Sequence, residues 1–160
     1  MDIKISFDKT AFQCKPTSSQ TAFMKKRLPE EEDYYDIKTI AECIGNHGHS
    51  FLPATFNGMA SKQENFEQCQ LFGIDFDDEP DYEKIKKKLM EYHLPIVFSY
   101  HTFSSTPEHP KYRIILCHIV PITERWLADM ILKMLKKMLT RKFIGDKIRK
   151  SLRCDRVNGL

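Results

Sequence analysis

The sequence predicts an α/β (α+β) fold in which a mixed sheet is packed by helices, in a single domain over residues 1–160. Residues 70–100 follow the order strand, helix, strand, and residues 112–142 add a third strand and a long amphipathic helix. Because a strand–helix–strand unit of about 30 residues joins parallel strands, the first two strands should run parallel. Hydrophobic residues at 41% and charged residues at 29% fit a chain that buries its own core.

The N-terminal part carries weaker signals. Residues 1–35 are predicted to form an irregular segment, with residues 36–160 as the core of the domain. Inside that segment, alternating apolar and polar residues predict one short strand over Ile3–Phe7. Residues 15–33 are rich in Lys, Pro, Ser, Thr and Glu, so they predict a surface stretch without regular structure.

Two short helices follow from apolar residues at helical spacing. The first begins after Asp36 as N-cap and should stop at Gly45-Asn46. The second opens at Asp81 and places Ile85 and Leu89 on its buried side.

Three apolar runs predict strands, at Gln70–Phe76, Pro95–Tyr100 and Tyr112–Ile119. The polar residues 104–111 should join the last two as a wide hairpin. A long helix is then expected with Thr123 as its N-cap.

The long helix is predicted to pack on the sheet. The pairs Trp126/Leu127, Met130/Ile131, Met134/Leu135 and Met138/Leu139 recur at close to helical spacing on its apolar side, and the three methionines are interpreted as core filler. Lysines of this helix are expected to face water.

The sharpest feature is the acidic end of the 70–76 strand. Alternate side chains of a strand share a face, so Asp75 and Asp77 should point the same way, with Cα atoms roughly 6–7 Å apart. Two such carboxylates repel each other unless a proton or a cation lies between them, and oxygen ligands suit Mg²⁺ or Mn²⁺. Gly73 removes a side chain beside them, which should let a ligand approach. The alternative is a solvated strand end whose Asp78 or Asp81 caps the next helix.

The hydroxyl-rich segment between the second and third strands should lie over this acidic end. Its small residues, followed by Lys111 and Arg113 on one face of the third strand, would suit a nucleoside triphosphate. The alternative is an ordinary hairpin in which Arg113 pairs with Asp75 or Asp77.

Charge is distributed unevenly along the chain. Residues 1–91 carry 12 basic and 17 acidic side chains, whereas residues 92–160 carry 13 basic and 5 acidic ones. The basic part predicts either a polyanion partner or a solvated helix face. No apolar run reaches the ~18 residues of a membrane span, and the N-terminus lacks the apolar segment of a secretory signal, so a cytoplasmic protein is expected.

The order of these motifs resembles the primase-polymerase domain of the archaeo-eukaryotic primase superfamily, in the form found in replication proteins of mobile elements and phages. The resemblance is carried by L-F-G-I-D-F-D-D, then by Y-H-T-F-S-S-T-P-E-H-P-K-Y-R-I-I-L, and then by P-I-T, a helix and a late Asp. It covers residues 37–160, including the upstream stretch 51–65.

The resemblance implies an RRM-like catalytic sheet and assigns roles to residues. Asp75 and Asp77 would be the catalytic, metal-binding pair, with Asp146 or Asp155 as a third ligand. The family's small-x-His motif contacts the incoming nucleotide, but here Arg113 stands where the histidine would be, and Ser99-Tyr100-His101 fits the motif one strand earlier. The implied nucleotide-binding residues are Ser104, Ser105, His109, Lys111, Arg113 and His101. The implied nucleic-acid-binding residues are Lys133, Lys136, Lys137, Arg141, Lys142, Lys147, Arg149 and Lys150.

The implied function is a DNA primase or polymerase that transfers NTP or dNTP on a DNA template with Mg²⁺ or Mn²⁺, together with a replicative helicase domain or protein. Because the family continues beyond the equivalent of Leu160, the chain is expected to be a C-terminally truncated fragment or a shortened, inactive relative.

One alternative function is a nucleic-acid-binding module of the same fold without chemistry. Another is an HUH-type nicking enzyme that uses His47, His49 and either Tyr82 or Tyr92. A third is a single-strand RNA binder that exposes Phe76 and Tyr112.

Overall fold

The computed structural model describes residues 1–77 and 81–140, which form a mixed α and β fold with two antiparallel sheets and four α-helices. The elements in chain order are β1 (Asp2–Ala11), α1 (Ser18–Arg27), β2 (Glu32–Asp36), α2 (Ile37–His47), β3 (His49–Leu52), β4 (Ala54–Thr55), β5 (Gln68–Phe76), α3 (Tyr82–Glu91), β6 (Ile96–His101), β7 (Tyr112–Ile122) and α4 (Arg125–Thr140).

The larger sheet has the strand order β4-β5-β7-β6, and every neighbouring pair in it is antiparallel. Strands β5 and β6 run in the same direction, as the strand–helix–strand pattern predicts, but β7 lies between them. The expectation of a mixed sheet is therefore wrong for the described residues. The hairpin between β6 and β7 inserts β7 into the position that a direct crossover would have given to β6.

The smaller sheet is built from the N-terminal part of the chain. Strand β1 lies in its centre and pairs antiparallel with β2 and β3. Helix α1 follows β1 and begins with a capping box in which Thr17 and Gln20 bond each other's backbone N–H groups. The prediction of an irregular stretch over residues 15–33 is wrong, because its polar composition belongs to a surface helix with no buried residue.

The two faces of the larger sheet pack differently. Residues at alternate positions of β5 and β7, among them Ile74 and Ile114, pack against α3 and α4. The opposite face, with Leu71 and Ile115, packs against β1 and α2. The larger sheet is thus the middle of three layers, and it carries Asp75 and Arg113 on the face directed at the N-terminal layer.

Helix caps agree largely with the sequence. The side chains of Asp36 and Asp81 accept the predicted N-terminal hydrogen bonds of α2 and α3. Helix α2 continues past Gly45-Asn46 to His47. Its C-cap is Gly48, which adopts the left-handed conformation with φ 70°. An added Cβ at Gly48 would lie 2.0 Å from the carbonyl oxygen of Phe12. Both the backbone conformation and the lack of space for a side chain therefore require glycine at this position.

Helix α4 packs on the larger sheet through the predicted leucines, but not through the predicted methionines. It begins at Arg125, and the carbonyl of Glu124 accepts from Leu127 and Ala128. Leu135 and Leu139 are buried, whereas Trp126 is 63% exposed and Met130 and Met134 are also exposed. The interpretation of these methionines as core filler is wrong, because the buried face of α4 is centred on the leucines. No helix among residues 1–77 and 81–140 combines the length and apolar character needed to cross a membrane.

Candidate functional site

The two acids predicted from the sequence stand at the end of β5, and each has a basic partner. Asp75 lies opposite Arg113 in the β5–β7 register. Arg113 donates from Nε to one carboxylate oxygen of Asp75 at 2.5 Å and from Nη2 to the other at 3.0 Å. The geometry is a bidentate ion pair, the arrangement that a planar guanidinium makes with a carboxylate. Of the two partners that the sequence left open for Arg113, the structure selects Asp75.

Asp77 follows the strand and is paired more loosely. The ammonium nitrogen of Lys111 lies 3.9 Å from one of its carboxylate oxygens. The side chains of Asp75 and Asp77 are 48% and 52% exposed, so both carboxylates remain accessible to solvent. Two carboxylates and two cations therefore share one end of the larger sheet, with Lys111 and Arg113 on a common face as predicted.

The guanidinium of Arg113 is held on its remaining side by Tyr100. Its Nη1 donates to the Tyr100 hydroxyl at 3.1 Å. Burial alone would lower the pKa of Arg113, but the hydrogen bonds and charges of Asp75 and Tyr100 together outweigh burial and raise that pKa. Burial raises the pKa of the Tyr100 phenol, with a smaller opposing effect of Arg113, so the phenol stays protonated at neutral pH.

The space beside Gly73 is used differently from the prediction. A Cβ added at Gly73 would lie 3.3 Å from Cδ of Arg113 and 3.3 Å from Cδ1 of Ile115. The aliphatic stem of Arg113 thus covers this glycine, so the missing side chain makes room for the arginine rather than for an approaching ligand.

The loop between β6 and β7 is folded by its own hydroxyl groups. Ser105 Oγ accepts from the backbone N–H of Lys111 at 2.9 Å and lies 3.0 Å from Nδ1 of His101. Thr102 and Ser104 bond each other through their hydroxyls at 3.2 Å. In the strand register, Tyr112 lies opposite Phe76 on one side and opposite His101 on the other. The loop that connects His101 to Tyr112 therefore begins and ends beside the acidic end of β5, as expected.

The candidate histidines occupy other positions than Arg113. The His101 ring packs edge-on against Tyr112 with ring centroids 6.5 Å apart, on the face opposite that of Tyr100 and Arg113. His109 lies in a turn, where its backbone N–H donates to both oxygen atoms of Thr106. The residue that contacts Asp75 on this face is Arg113.

A cleft opens next to this face, between the N-terminal layer and the β6–β7 loop. Its volume is about 420 Å³. Arg113 and Tyr100 line it on one side, and β3 with the last turn of α2 lines it on the other. Sequence reasoning missed this cleft, because it forms between parts of the chain that are distant in sequence.

Part of the basic surface is described. Lys133 and Lys137 are exposed on α4, while Lys136 is half-buried. The remaining predicted nucleic-acid contacts and the predicted third acids lie outside the described residues, namely Arg141, Lys142, Lys147, Arg149, Lys150, Asp146 and Asp155. Asp78, the alternative helix cap, is likewise outside them.

The structure does not support two of the alternative functions, the HUH-type nicking enzyme and the single-strand RNA binder. His47 is the last residue of α2 and His49 the first of β3, so the two histidines do not share a strand as an HUH site requires. Phe76 and Tyr112 are 6% and 5% exposed and stack on each other inside the core, so they offer no platform for RNA bases.

Within residues 1–77 and 81–140, no group of three or more His, Cys, Asp or Glu side chains is arranged to hold a metal ion. Asp75 and Asp77 nevertheless supply the exposed carboxylate oxygens that Mg²⁺ or Mn²⁺ prefers, so the donor chemistry fits such an ion. Comparison with known proteins adds no family: no protein-family model, no curated protein and no solved structure matches this chain.

Proposed function

We propose that this chain is a primase-polymerase-type nucleotidyltransferase domain that joins NTP or dNTP on a DNA template. One observation carries the proposal. Asp75 and Asp77 stand half-exposed at one end of β5 with Arg113 and Lys111 directly beside them. Carboxylates that can hold divalent ions and cations that can hold phosphates are the two parts that phosphoryl transfer needs at one place.

The topology is compatible with the RRM-like sheet that the proposal requires. Strands β5, β6 and β7, with α3 after the first and α4 after the third, give the order β5-β7-β6. That is the order of the first three strands in a split β-α-β unit. The fold alone does not decide function, so the proposal rests on the acid and base groups.

The proposed roles follow from the contacts. Asp75 and Asp77 hold the divalent ions, with Asp146 or Asp155 as the third ligand. Divalent ions held by these carboxylates would supply Lewis-acid activation of the attacking hydroxyl and charge neutralisation at the leaving pyrophosphate. Arg113 and Lys111 orient the triphosphate, since both reach the acidic end from one face of β7 and its preceding loop.

Template contact is assigned to the exposed lysines of α4. Lys133 and Lys137 project from the side of α4 that faces solvent. Lysines at a helix surface attract phosphates without reading sequence, and such binding weakens as salt rises.

Incorporation of a labelled nucleotide on single-stranded DNA in Mn²⁺ tests the proposal. Asp75→Ala/Asp77→Ala should abolish incorporation, because it removes both carboxylates. Glu42→Ala/Glu64→Ala is the matched control, since it removes two carboxylates that are 57% and 69% exposed elsewhere on the molecule. Incorporation that persists in the first double variant would rule out the assignment.

A second candidate is the same fold acting as a nucleic-acid-binding module without chemistry. The observation in its favour is that Arg113 already occupies both carboxylate oxygens of Asp75. This candidate predicts DNA binding that decreases with salt, is indifferent to EDTA, and is accompanied by no incorporation in Mn²⁺.

A further inference from the structure

We infer that the cleft between the N-terminal layer and the β6–β7 loop is a nucleoside-phosphate site, in which Arg113 takes the phosphate and Phe103 takes the base. The inference deepens the proposed function, because it gives the nucleotide a place that includes the N-terminal sheet. It does not require a metal ion, so it can be tested separately.

The charge of the cleft favours an anion at one end. Its lining residues include Arg113 and three histidines, His47, His49 and His101, and no Asp or Glu. The Arg113 guanidinium lies at the boundary between the cleft and the acidic end of β5. A phosphate bound in the cleft would therefore lie beside Arg113 and away from any lining carboxylate.

The walls of the cleft favour an aromatic group. Phe12, Phe51, Tyr100 and Phe103 all line it. Phe103 is 48% exposed, so part of its ring remains open to a ligand. Such an open ring can stack on a base of any type, because every base has a π-face.

The position of Phe103 is fixed by the opposite wall. A Cβ added at Gly48 would lie 3.3 Å from Cζ of Phe103, so the edge of the ring rests against the glycine that ends α2. Phe12 is tied to the same glycine, since its backbone N–H donates to the Gly48 carbonyl at 3.1 Å. The loop ring and the N-terminal layer therefore meet at Gly48, and the ring is held where it borders the cleft.

The last turn of α2 offers hydrogen-bond acceptors to the cleft. The last turn of α2, at Ile44, Gly45 and Asn46, lines it, and carbonyl groups in the final turn of a helix lack intrahelical partners. Amino and imide N–H groups of a base are donors that suit such carbonyls. The cleft thus combines a guanidinium for the phosphate, an aromatic ring for the face of the base and carbonyl acceptors for its N–H groups.

Calorimetric titration of the full chain in EDTA tests this inference, with ATP and CTP as ligands and tripolyphosphate and ribose 5-phosphate as controls. Both nucleotides should bind more tightly than either control, because only they carry a base. Phe103→Ala should weaken ATP binding by roughly 5- to 150-fold, the range that loss of one stacking contact produces. Phe103→Tyr keeps the ring and should bind like the unchanged chain.

Phe23→Ala is the matched control, because Phe23 is an exposed phenylalanine of α1 that does not line the cleft. Absence of nucleotide binding in EDTA, or equal losses in Phe103→Ala and Phe23→Ala, would overturn the inference. Asp75→Ala/Asp77→Ala should retain metal-free ATP binding. A chain that binds ATP through Phe103 but incorporates no nucleotide would retain this site and refute the proposed function.

Discussion

Arg113 and Asp75 face each other across β5 and β7 and form a bidentate ion pair at 2.5 Å and 3.0 Å. Asp75, one of the two proposed metal ligands, is thus already bound to a guanidinium. A phosphate that drew Arg113 away would release Asp75, and ligand and metal would then assist each other's binding by the same factor.

This competition predicts that Arg113→Gln raises the affinity for Mn²⁺ in the absence of nucleotide. The gain should reach up to about fivefold, the value of a partly exposed ion pair. Titration of free Mn²⁺ followed by electron paramagnetic resonance measures it. Arg125→Gln is the control, because Arg125 is also ion-paired, with Asp129 at 3.1 Å, but lies outside this group. Mn²⁺ binding that is unchanged or weaker in Arg113→Gln would show that Asp75 is not a metal ligand.

Gly48→Ala should destabilise the fold, because φ 70° is unfavourable for alanine and its Cβ would meet the Phe12 carbonyl oxygen at 2.0 Å. The left-handed conformation alone costs about 1–2 kcal/mol, and the contact adds to it. Urea denaturation followed by circular dichroism measures the change. Gly45→Ala is the control inside the same helix, where nothing lies within 4 Å of the new Cβ. It should stabilise the chain by about 0.5–1 kcal/mol, so a similar loss in both variants would contradict the explanation.

Glu67→Gln should lower the stability of the fold at neutral pH. Burial alone would raise the pKa of Glu67, but hydrogen bonds from Lys4 and Thr55, together with the positive charge of Lys4, outweigh burial and lower the pKa below its usual 4.5. A carboxylate with a lowered pKa stabilises the folded state above its unfolded pKa and loses that effect as pH falls through the folded pKa.

The loss in Glu67→Gln should be about 1–3 kcal/mol at pH 7 and should shrink below pH ~4.5 as the wild-type carboxylate takes up a proton. Urea denaturation at a series of pH values measures both variants. Glu64→Gln is the control, since Glu64 is 69% exposed and lies 3.9 Å from Lys62. If the stability difference between the wild type and Glu67→Gln grew as the pH fell, it would contradict a stabilising role of the ionised Glu67 carboxylate.

Cys14 should react with iodoacetamide in the folded protein, whereas Cys69 should react only after unfolding. Cys14 is exposed, but Cys69 is buried, and burial raises the pKa of its thiol to about 12. The thiolate is the reactive form, so both access and ionisation protect Cys69. Peptide mapping by mass spectrometry at pH 8, with and without urea, measures the rates. Modification of both cysteines at equal rates in the folded state would contradict the placement of Cys69 in the core.

The sequence by itself determined the local structure of the second half and the composition of the acidic end. Periodicity and caps specify β5, α3, the β6–β7 hairpin and the shared face of Lys111 and Arg113, because these depend on residues near each other in the chain. Tertiary structure decided that β7 separates β5 from β6, and that Arg113 pairs with Asp75. Contacts between distant parts of the chain also place the N-terminal segment in a second sheet, which forms one wall of the cleft. Strand pairing and side-chain partners depend on contacts between distant parts of the chain, and a local pattern of residues does not encode which of several compatible partners lies closest.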